Sequence, residues 1–252
     1  NLPMLTRAEL LGQIMKNYQT SIAVSGTHGK TTTTSMFSSV LLAADADTTI
    51  SVGGILEAIG GNIRVGKSET FITEACEYTN SFLSFYPTMS IILNIEEDHM
   101  DFFKDLDDIM NSFRLFAKRL PKDGVLIINK EIKDYEKVTE GLECKVITYG
   151  MDPSCTYHAE NITFNAQGFG EFDVMHHSTN MGHIVLNVPG QHNVSNALAV
   201  IAAARKLGIS MEQIQAGLLG FSGANRRFQR KGEYNGVTII DDYAHHPTEI
   251  RT

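Results

Sequence analysis

Ala23-Val24-Ser25-Gly26-Thr27-His28-Gly29-Lys30-Thr31-Thr32-Thr33-Thr34 is the stretch on which the fold of this 252-residue chain turns. The β-prone run Ser21-Ile22-Ala23-Val24 leads into it. Met36-Phe37-Ser38-Ser39-Val40-Leu41-Leu42 follows with a sequence that can continue as a helix. Strand, Gly-containing turn, Lys-Thr and helix form the layout of a phosphate cradle. Backbone N–H groups and a helix N-terminus face an anion, the lysine adds a point charge, and the next hydroxyl can hold Mg²⁺. The common P-loop has four residues between its glycines, which would need a glycine where Val24 stands. Here the pattern is Gly-Thr-His-Gly-Lys-Thr, two residues shorter. A plain turn before an ordinary helix is the alternative reading.

Working outward, the pattern alternates. Upstream, residues 2–18 read as a helix, with capping-box spacing at Thr6 and Glu9 and an apolar face of Leu10, Leu11, Ile14 and Met15. Downstream, Thr48 to Val52 reads as a strand ending at Gly53-Gly54, and Gly60 to Ser68 as a loop. Thr70 to Thr73 is a strand ending in Glu74-Ala75-Cys76-Glu77. Met89 to Leu93 is another, ending in Asn94-Ile95-Glu96-Glu97-Asp98-His99-Met100-Asp101. A helix over 107–120 puts Ile109, Met110, Phe113, Phe116, Ala117 and Leu120 inward, and strands follow at Val125 to Ile128 and Lys145 to Tyr149. Strands alternating with helices predict an α/β fold with a mostly parallel, P-loop-type sheet flanked by helices. Ligands of such sheets bind beyond the carboxyl ends of the strands. The clusters 26–31, 74–77 and 94–101 all fall at such ends, which brings phosphate cradle, carboxylates and histidine to one rim.

From Cys155 to Val188, short β-like runs with polar turns predict a small antiparallel attachment. Helices follow at 194–207 and from Ser210. A cationic loop, Ser222 to Phe228, then precedes a last strand, Val237 to Ile240, and Asp241-Asp242-Tyr243-Ala244-His245-His246-Pro247. The chain stops at Thr252 inside this motif-like segment, so a longer parent protein is expected.

The net charge of −8 argues against general nucleic-acid or anionic-membrane binding. No apolar run approaches the roughly 20 residues of a membrane helix. Cys76, Cys144 and Cys155 are odd in number and widely spaced, which reads as free thiols in a reducing compartment.

Several residues carry two readings at this level. Glu74 is a metal ligand beside the cradle or a solvated loop carboxylate. His99 is a nitrogen ligand amid four carboxylates, or a cap or surface residue. Asn193 and Asn196, three apart, cap a helix or read a purine edge, since each amide offers donor and acceptor. Arg226-Arg227 is an anion clamp or a solvated pair. His176-His177 and His183 match no metal spacing and read as structural.

Taken together, Gly26-Thr27-His28-Gly29-Lys30-Thr31-Thr32 resembles the ATP loop of the Mur ligases, which build the cytoplasmic precursor of bacterial peptidoglycan. Asn94 to Asp101 resembles that family's metal-histidine motif, and Gly190-Gln191-His192-Asn193 through Asn196-Ala197 its adenine-side motif. Arg226-Arg227-Phe228 and Asp241 to Pro247 complete the series in the family's order. The histidine in the loop and the Asp-Asp-Tyr-Ala-His-His-Pro segment most resemble the branch that joins L-alanine to UDP-N-acetylmuramate. The resemblance implies residues 1–20 as the end of a UDP-sugar domain, 21–235 as the ATP-binding domain (155–188 its β attachment), and 236–252 as the start of a Rossmann-like domain.

It also implies ATP and Mg²⁺ at two sites, with Mn²⁺ as a substitute, and an ADP-forming amide ligation in the cytoplasm by a monomer or dimer. Lys30, Glu74 and His99 are then catalytic, and Thr31, Glu74 and His99 hold metal. Gly26 to Thr32, His192, Asn193, Asn196, Arg227, Asp242 and Tyr243 bind ATP, while Arg226 and His245 face substrate. Family members that add acidic amino acids carry a carbamylated lysine fifteen positions after the motif histidine. Arg114 stands there in this chain, as the L-alanine branch would have it. A ligase that returns a recycled murein tripeptide to the same sugar is the close alternative, and a nucleotide-dependent switch is the alternative from another class. The 252 residues alone are expected to lack ligase activity.

Overall fold

The computed structural model describes residues 4–251. The helix expected over 2–18 is α1 (Arg7–Met15), with residues 2 and 3 outside the described range. Thr6 and Glu9 form the capping box, but Leu10 is half exposed. Buried Gly12 takes its place on the inner face, where a Cβ would meet the Ser84 carbonyl at 1.9 Å.

Then come β1 (Thr20–Ser25), α2 (Lys30–Ala43), β2 (Thr49–Leu56), β3 (Gly61–Arg64), β4 (Thr70–Ala75), β5 (Met89–Ile92) and α3 (Leu106–Ala117). After them run β6 (Val125–Asn129), α4 (Glu136–Thr139), β7 (Lys145–Gly150), β8 (Tyr157–Phe164), β9 (Phe169–His176) and β10 (Thr179–Pro189). The chain closes with α5 (Gln191–Lys206), α6 (Met211–Gly220), β11 (Gln229–Tyr234), β12 (Val237–Asp241) and α7 (Pro247–Arg251).

One ten-stranded sheet has the order β10-β9-β8-β7-β6-β5-β1-β4-β2-β3. From β8 to β2 every pairing is parallel. The two-residue alternation of each strand feeds two cores. Ile22, Val24, Ile91 and Ile127 face α2, α5 and α6, whereas Ala23, Ile92, Leu126 and Ile128 face α1 and α3. Strand runs such as Val125-Leu126-Ile127-Ile128 are apolar throughout because both faces are covered. Between α2 and α6 the approach is so close that a Cβ on Gly217 would lie 2.4 Å from the Val40 Cα.

Two expectations change. β2 does not stop at Gly53-Gly54 but continues to Leu56. The stretch read as a loop contains β3, which pairs back antiparallel with Ile50↔Arg64 and Ser51↔Ile63. An exposed edge strand has no buried face to impose an apolar pattern, so its sequence looks like a loop. The antiparallel attachment is present as β8, β9 and β10. It joins β7 through Tyr149↔Tyr157 and Gly150↔His158, so it extends the main sheet. β11 and β12 form a separate hairpin. Among the described residues, no helix is long and apolar enough to cross a membrane, and Cys76, Cys144 and Cys155 are free.

Candidate active site

Strand β1 is flanked by β4 and β5, with α2 following it and the chain crossing to opposite sides. That is a switch point of the strand order, where an open sheet leaves a crevice. Gly26 (φ 146°) and Gly29 (φ 80°) bend the loop there, and Gly29 starts α2 with no side-chain cap. The first free N–H groups of α2 therefore point into the loop, as an anion site requires. A Cβ on Gly29 would lie 3.3 Å from Asn196 Oδ1. Its absence lets the first turn of α5 stand against the loop.

The loop is bound to the end of β5. Thr27 N–H donates to the Asn94 carbonyl at 3.3 Å, and Glu96 N–H to the Thr27 hydroxyl at 2.9 Å. His28 N–H donates to Asn94 Oδ1 at 2.9 Å, and the Asn94 amide donates to His28 Nδ1 at 3.0 Å. With Nδ1 accepting, the ring proton is assigned to Nε2, which meets Glu96 Oε1 at 3.0 Å. Both ring nitrogens of His28 are thus engaged by protein.

Lys30 Nζ bonds the carbonyls of Gly26 at 2.5 Å and Thr27 at 3.0 Å, and it pairs with Glu77 at 3.0 Å. Thr31 donates to Glu74 Oε2 at 3.0 Å, while Gly53 N–H reaches Glu74 Oε1 at 2.5 Å. Burial pushes the Glu74 carboxyl above its ordinary range, against the pull of those two donors and of Lys30 and Arg227. A half-buried carboxylate beside a hydroxyl at the mouth of the cradle is a fitting donor set for an oxygen-preferring cation such as Mg²⁺.

His99 has a left-handed backbone (φ 53°) and stacks on Tyr78, ring centres 4.4 Å apart. Its ligand atom lies within 4.8 Å of those of Asp98 and Glu77. The structure thus groups His99 with Glu77 and Asp98, and Glu74 with Thr31. The sequence reading had joined His99 directly to Glu74.

On the other side of the loop a cleft of about 1120 Å³ is lined by His28, Gly29, Thr32, His192, Asn193, Asn196, Arg227 and Asp242, among others. The α5 helix starts at Gln191, earlier than expected, so His192, Asn193 and Asn196 all stand in its first two turns. Asn193 donates to the Pro189 carbonyl at 2.7 Å, and Asn196 to Asn193 at 3.1 Å. Burial, with His28 nearby, holds the His192 imidazole below its ordinary pKa.

The C-terminal segment closes the cleft. Thr248 donates to Glu96 Oε2 at 2.6 Å, and His246 Nε2 meets the Glu97 carbonyl at 3.1 Å. Arg227 pairs with Glu249 at 3.6 Å, and Asp242 accepts from Phe228 N–H at 2.7 Å. Arg226, Tyr243 and His245 are not part of the cleft wall. Arg226 lies over the Tyr243 ring at 4.8 Å, and His245 bonds the Tyr243 carbonyl at 3.0 Å. Arg114 also stands apart, in the last turn of α3, with its guanidinium 3.7 Å from Glu140. On the same helix Ser112 bonds Asn80.

Sequence reasoning places Glu77, Asn94 and Glu96 in their strand-end clusters without a role of their own, and it passes over Thr248. Glu77 had a signal, as a second carboxylate at the end of β4, but its partner is fixed only by tertiary contact.

A strand, uncapped loop and helix at a switch point, with lysine, threonine and a half-buried carboxylate at its mouth, have the layout of an anion cradle. Residues 24–204 match the model of the Mur ligase middle domain, and the chain belongs to that family. It is 60% identical over 251 residues to the UDP-N-acetylmuramate–L-alanine ligase of Lachnospira eligens, covering 99% of this chain and 55% of that protein. Among solved structures, it resembles the UDP-N-acetylmuramate–alanine ligase of Thermotoga maritima with a TM-score of 0.83 at 30% identity, over 97% of this chain and 55% of that one. The UDP-N-acetylmuramate:L-alanyl-γ-D-glutamyl-meso-diaminopimelate ligase of Neisseria meningitides gives a TM-score of 0.80 at 29% identity, over 89% and 73%. The chain spans about 55% of the first of these relatives.

Proposed function

We propose that this chain is the ATP-binding part of an ADP-forming ligase that joins L-alanine to UDP-N-acetylmuramate in the cytoplasm. The observation that carries the reading is the loop mouth, where the free N–H groups of α2, Lys30, Thr31 and half-buried Glu74 converge. The 60% identity to an L-alanine-adding relative supports the choice of acceptor. Residues 1–20, 21–235 and 236–252 are assigned to the UDP-sugar, ATP-binding and Rossmann-like domains. A complete catalytic cycle is assigned to the full-length protein.

A carboxylate is a poor acyl electrophile because its charge repels an amine. Transfer of the γ-phosphoryl group to the muramoyl carboxylate gives an acyl phosphate, which the amine of L-alanine opens with release of phosphate. In this reading the backbone of Gly26–Thr32 and the Lys30 ammonium hold the β- and γ-phosphates. Thr31, Glu74 and His99 hold Mg²⁺ at two positions, which offsets the charge of two polyanions brought together. His192, Asn193 and Asn196 form the adenine wall, with Arg227 and Asp242 opposite. Tyr243, Arg226 and His245 come into use when the C-terminal part moves against the cleft.

The test is phosphate release by full-length protein with ATP, Mg²⁺ and UDP-N-acetylmuramate. L-Alanine, glycine, L-serine and the murein tripeptide are compared as acceptors. Release with L-alanine is the expected result. Strong release with tripeptide and none with L-alanine would transfer the assignment to the recycling ligase, which the likeness to the Neisseria structure keeps in view. Nucleotide binding with no response to either sugar or amine would point instead to a switch.

A further inference from the structure

An ammonium has three protons, and in this structure all three of Lys30 are taken. The Gly26 carbonyl accepts one at 2.5 Å, the Thr27 carbonyl another at 3.0 Å, and the Glu77 carboxylate lies at 3.0 and 3.3 Å through its two oxygens. A phosphoryl oxygen can bond Lys30 only by displacing one of these acceptors. The two carbonyls are held by the loop, which Asn94 and Glu96 fix through Thr27. Glu77 belongs to the irregular turn after β4, where Thr79 and Asn80 hold left-handed backbones. It is therefore the acceptor able to give way.

Glu77 is also an unusual place to leave a charge. It is 2% exposed, Lys30 is 17% exposed, and among the described residues no other donor bonds its carboxylate. Nearby Asp98 adds repulsion.

We propose that Glu77 is a positioning residue for Lys30: it holds the ammonium inside the empty loop and competes with polyphosphate for it. The proposal rests on the nucleotide reading above. A ligand whose outer phosphates reach Lys30 must break the pair, and a nucleoside monophosphate that does not reach it leaves the pair intact. Glu77 thus lowers affinity for every polyphosphate by the strength of one charge-assisted bond and protects the lysine until a full polyphosphate arrives.

The experiment is calorimetric titration of this chain with ADP and with AMP in metal-free buffer. It compares the parent, Glu77→Gln, Glu77→Asp, Lys30→Met and Lys30→Met/Glu77→Gln. Glu77→Gln is expected to tighten ADP about tenfold and to change AMP by less than about twofold, the scale of one hydrogen bond to a charged group. Glu77→Asp, which keeps the charge, is expected to return the ADP-to-AMP ratio toward the parent value. In the Lys30→Met background, Glu77→Gln is expected to do nothing. Melting curves supply a second reading: Glu77→Gln melts lower than the parent when empty and closes that gap at saturating ADP. Equal weakening of ADP and AMP in Glu77→Gln, or the same effect with and without Lys30, would overturn the proposal by giving Glu77 a purely structural role. If the parent binds ADP and Glu77→Gln leaves it unchanged, the proposal alone fails. If no protein in the set binds nucleotide even after Mg²⁺ is added, the nucleotide reading fails and takes the proposal with it.

Discussion

At one end of the sheet, β1, β4 and β5 run in the same direction and deliver Gly26–Lys30, Glu74 and Asn94–Glu96 to a single rim. At the other end, β8, β9 and β10 alternate in direction, so their polar residues are spread over both rims and both faces. The histidines there pair locally: His183 with Asp173 at 2.9 Å, and His158 with Glu160 at 3.3 Å. Both ends have buried apolar strands and polar side chains. Only the parallel end concentrates chemistry, because parallel strands bring every carboxyl end to the same side. The antiparallel end mainly packs, with Phe172, Val174 and Ile184 fully buried beneath α5 and α6, and it lends Phe169 and Asn187 to Pro189 to the wall of the cleft.

The sharpest way to break this contrast is Lys30→Ala. Phosphate release by the full-length protein is expected to fall by about 10³-fold with the fold retained, the scale of losing a preorganised charge on a transferring phosphoryl group. Circular dichroism and turnover check it together, and unchanged turnover would remove the site from the parallel end.

Phe172→Ala, in the antiparallel half, is expected to cost about 3–5 kcal/mol of stability by leaving a cavity in the core. The nucleotide affinity of the folded fraction should stay the same. Urea unfolding and titration separate the two effects.

Glu74→Gln is expected to act in opposite directions at the two levels. Burial raises the Glu74 carboxyl above its ordinary 4.5, so the folded state binds more protons than the unfolded one above that pH. Stability from this group is therefore fully present below 4.5 and falls as pH rises through the raised folded value. The variant should gain about 1 kcal/mol over the parent at pH 7, lose that advantage at acid pH, and lose Mg²⁺-dependent nucleotide binding. Melting curves across pH check the sign.

The smallest effect is expected from His183→Ala. Its pair with Asp173 is half exposed to solvent, so turnover should not change and the melting temperature should move by no more than about 2 °C. A loss of activity there would give the antiparallel end a function it lacks in the present account.

Much of this was legible beforehand. The loop at 26–31, the carboxylate at 74 and the histidine at 99 stand at strand ends that periodicity alone locates, and α3 buries Ile109, Phe113 and Phe116 on its inner face as spaced. β3 was hidden because its residues are exposed. Leu10 was misplaced because Gly12, with no apolar weight, takes the close contact. Arg114 reads as a branch marker in the sequence, and its 3.7 Å approach to Glu140 is a tertiary contact the spacing does not foretell.

The sequence by itself pointed to the class of chemistry: a shortened Gly-Thr-His-Gly-Lys-Thr loop after a strand lays out backbone N–H groups and a lysine as an anion site requires. It also determined the alternating layers, since strand and helix periods are local. Only the tertiary structure decided the pairings across the rim. Glu77 to Lys30, Glu74 to Thr31 and Gly53, and His28 between Asn94 and Glu96 join residues 21 to 68 positions apart. Which carboxylate meets which donor depends on sheet order and on the turn after β4. Neither leaves a periodic trace in the chain.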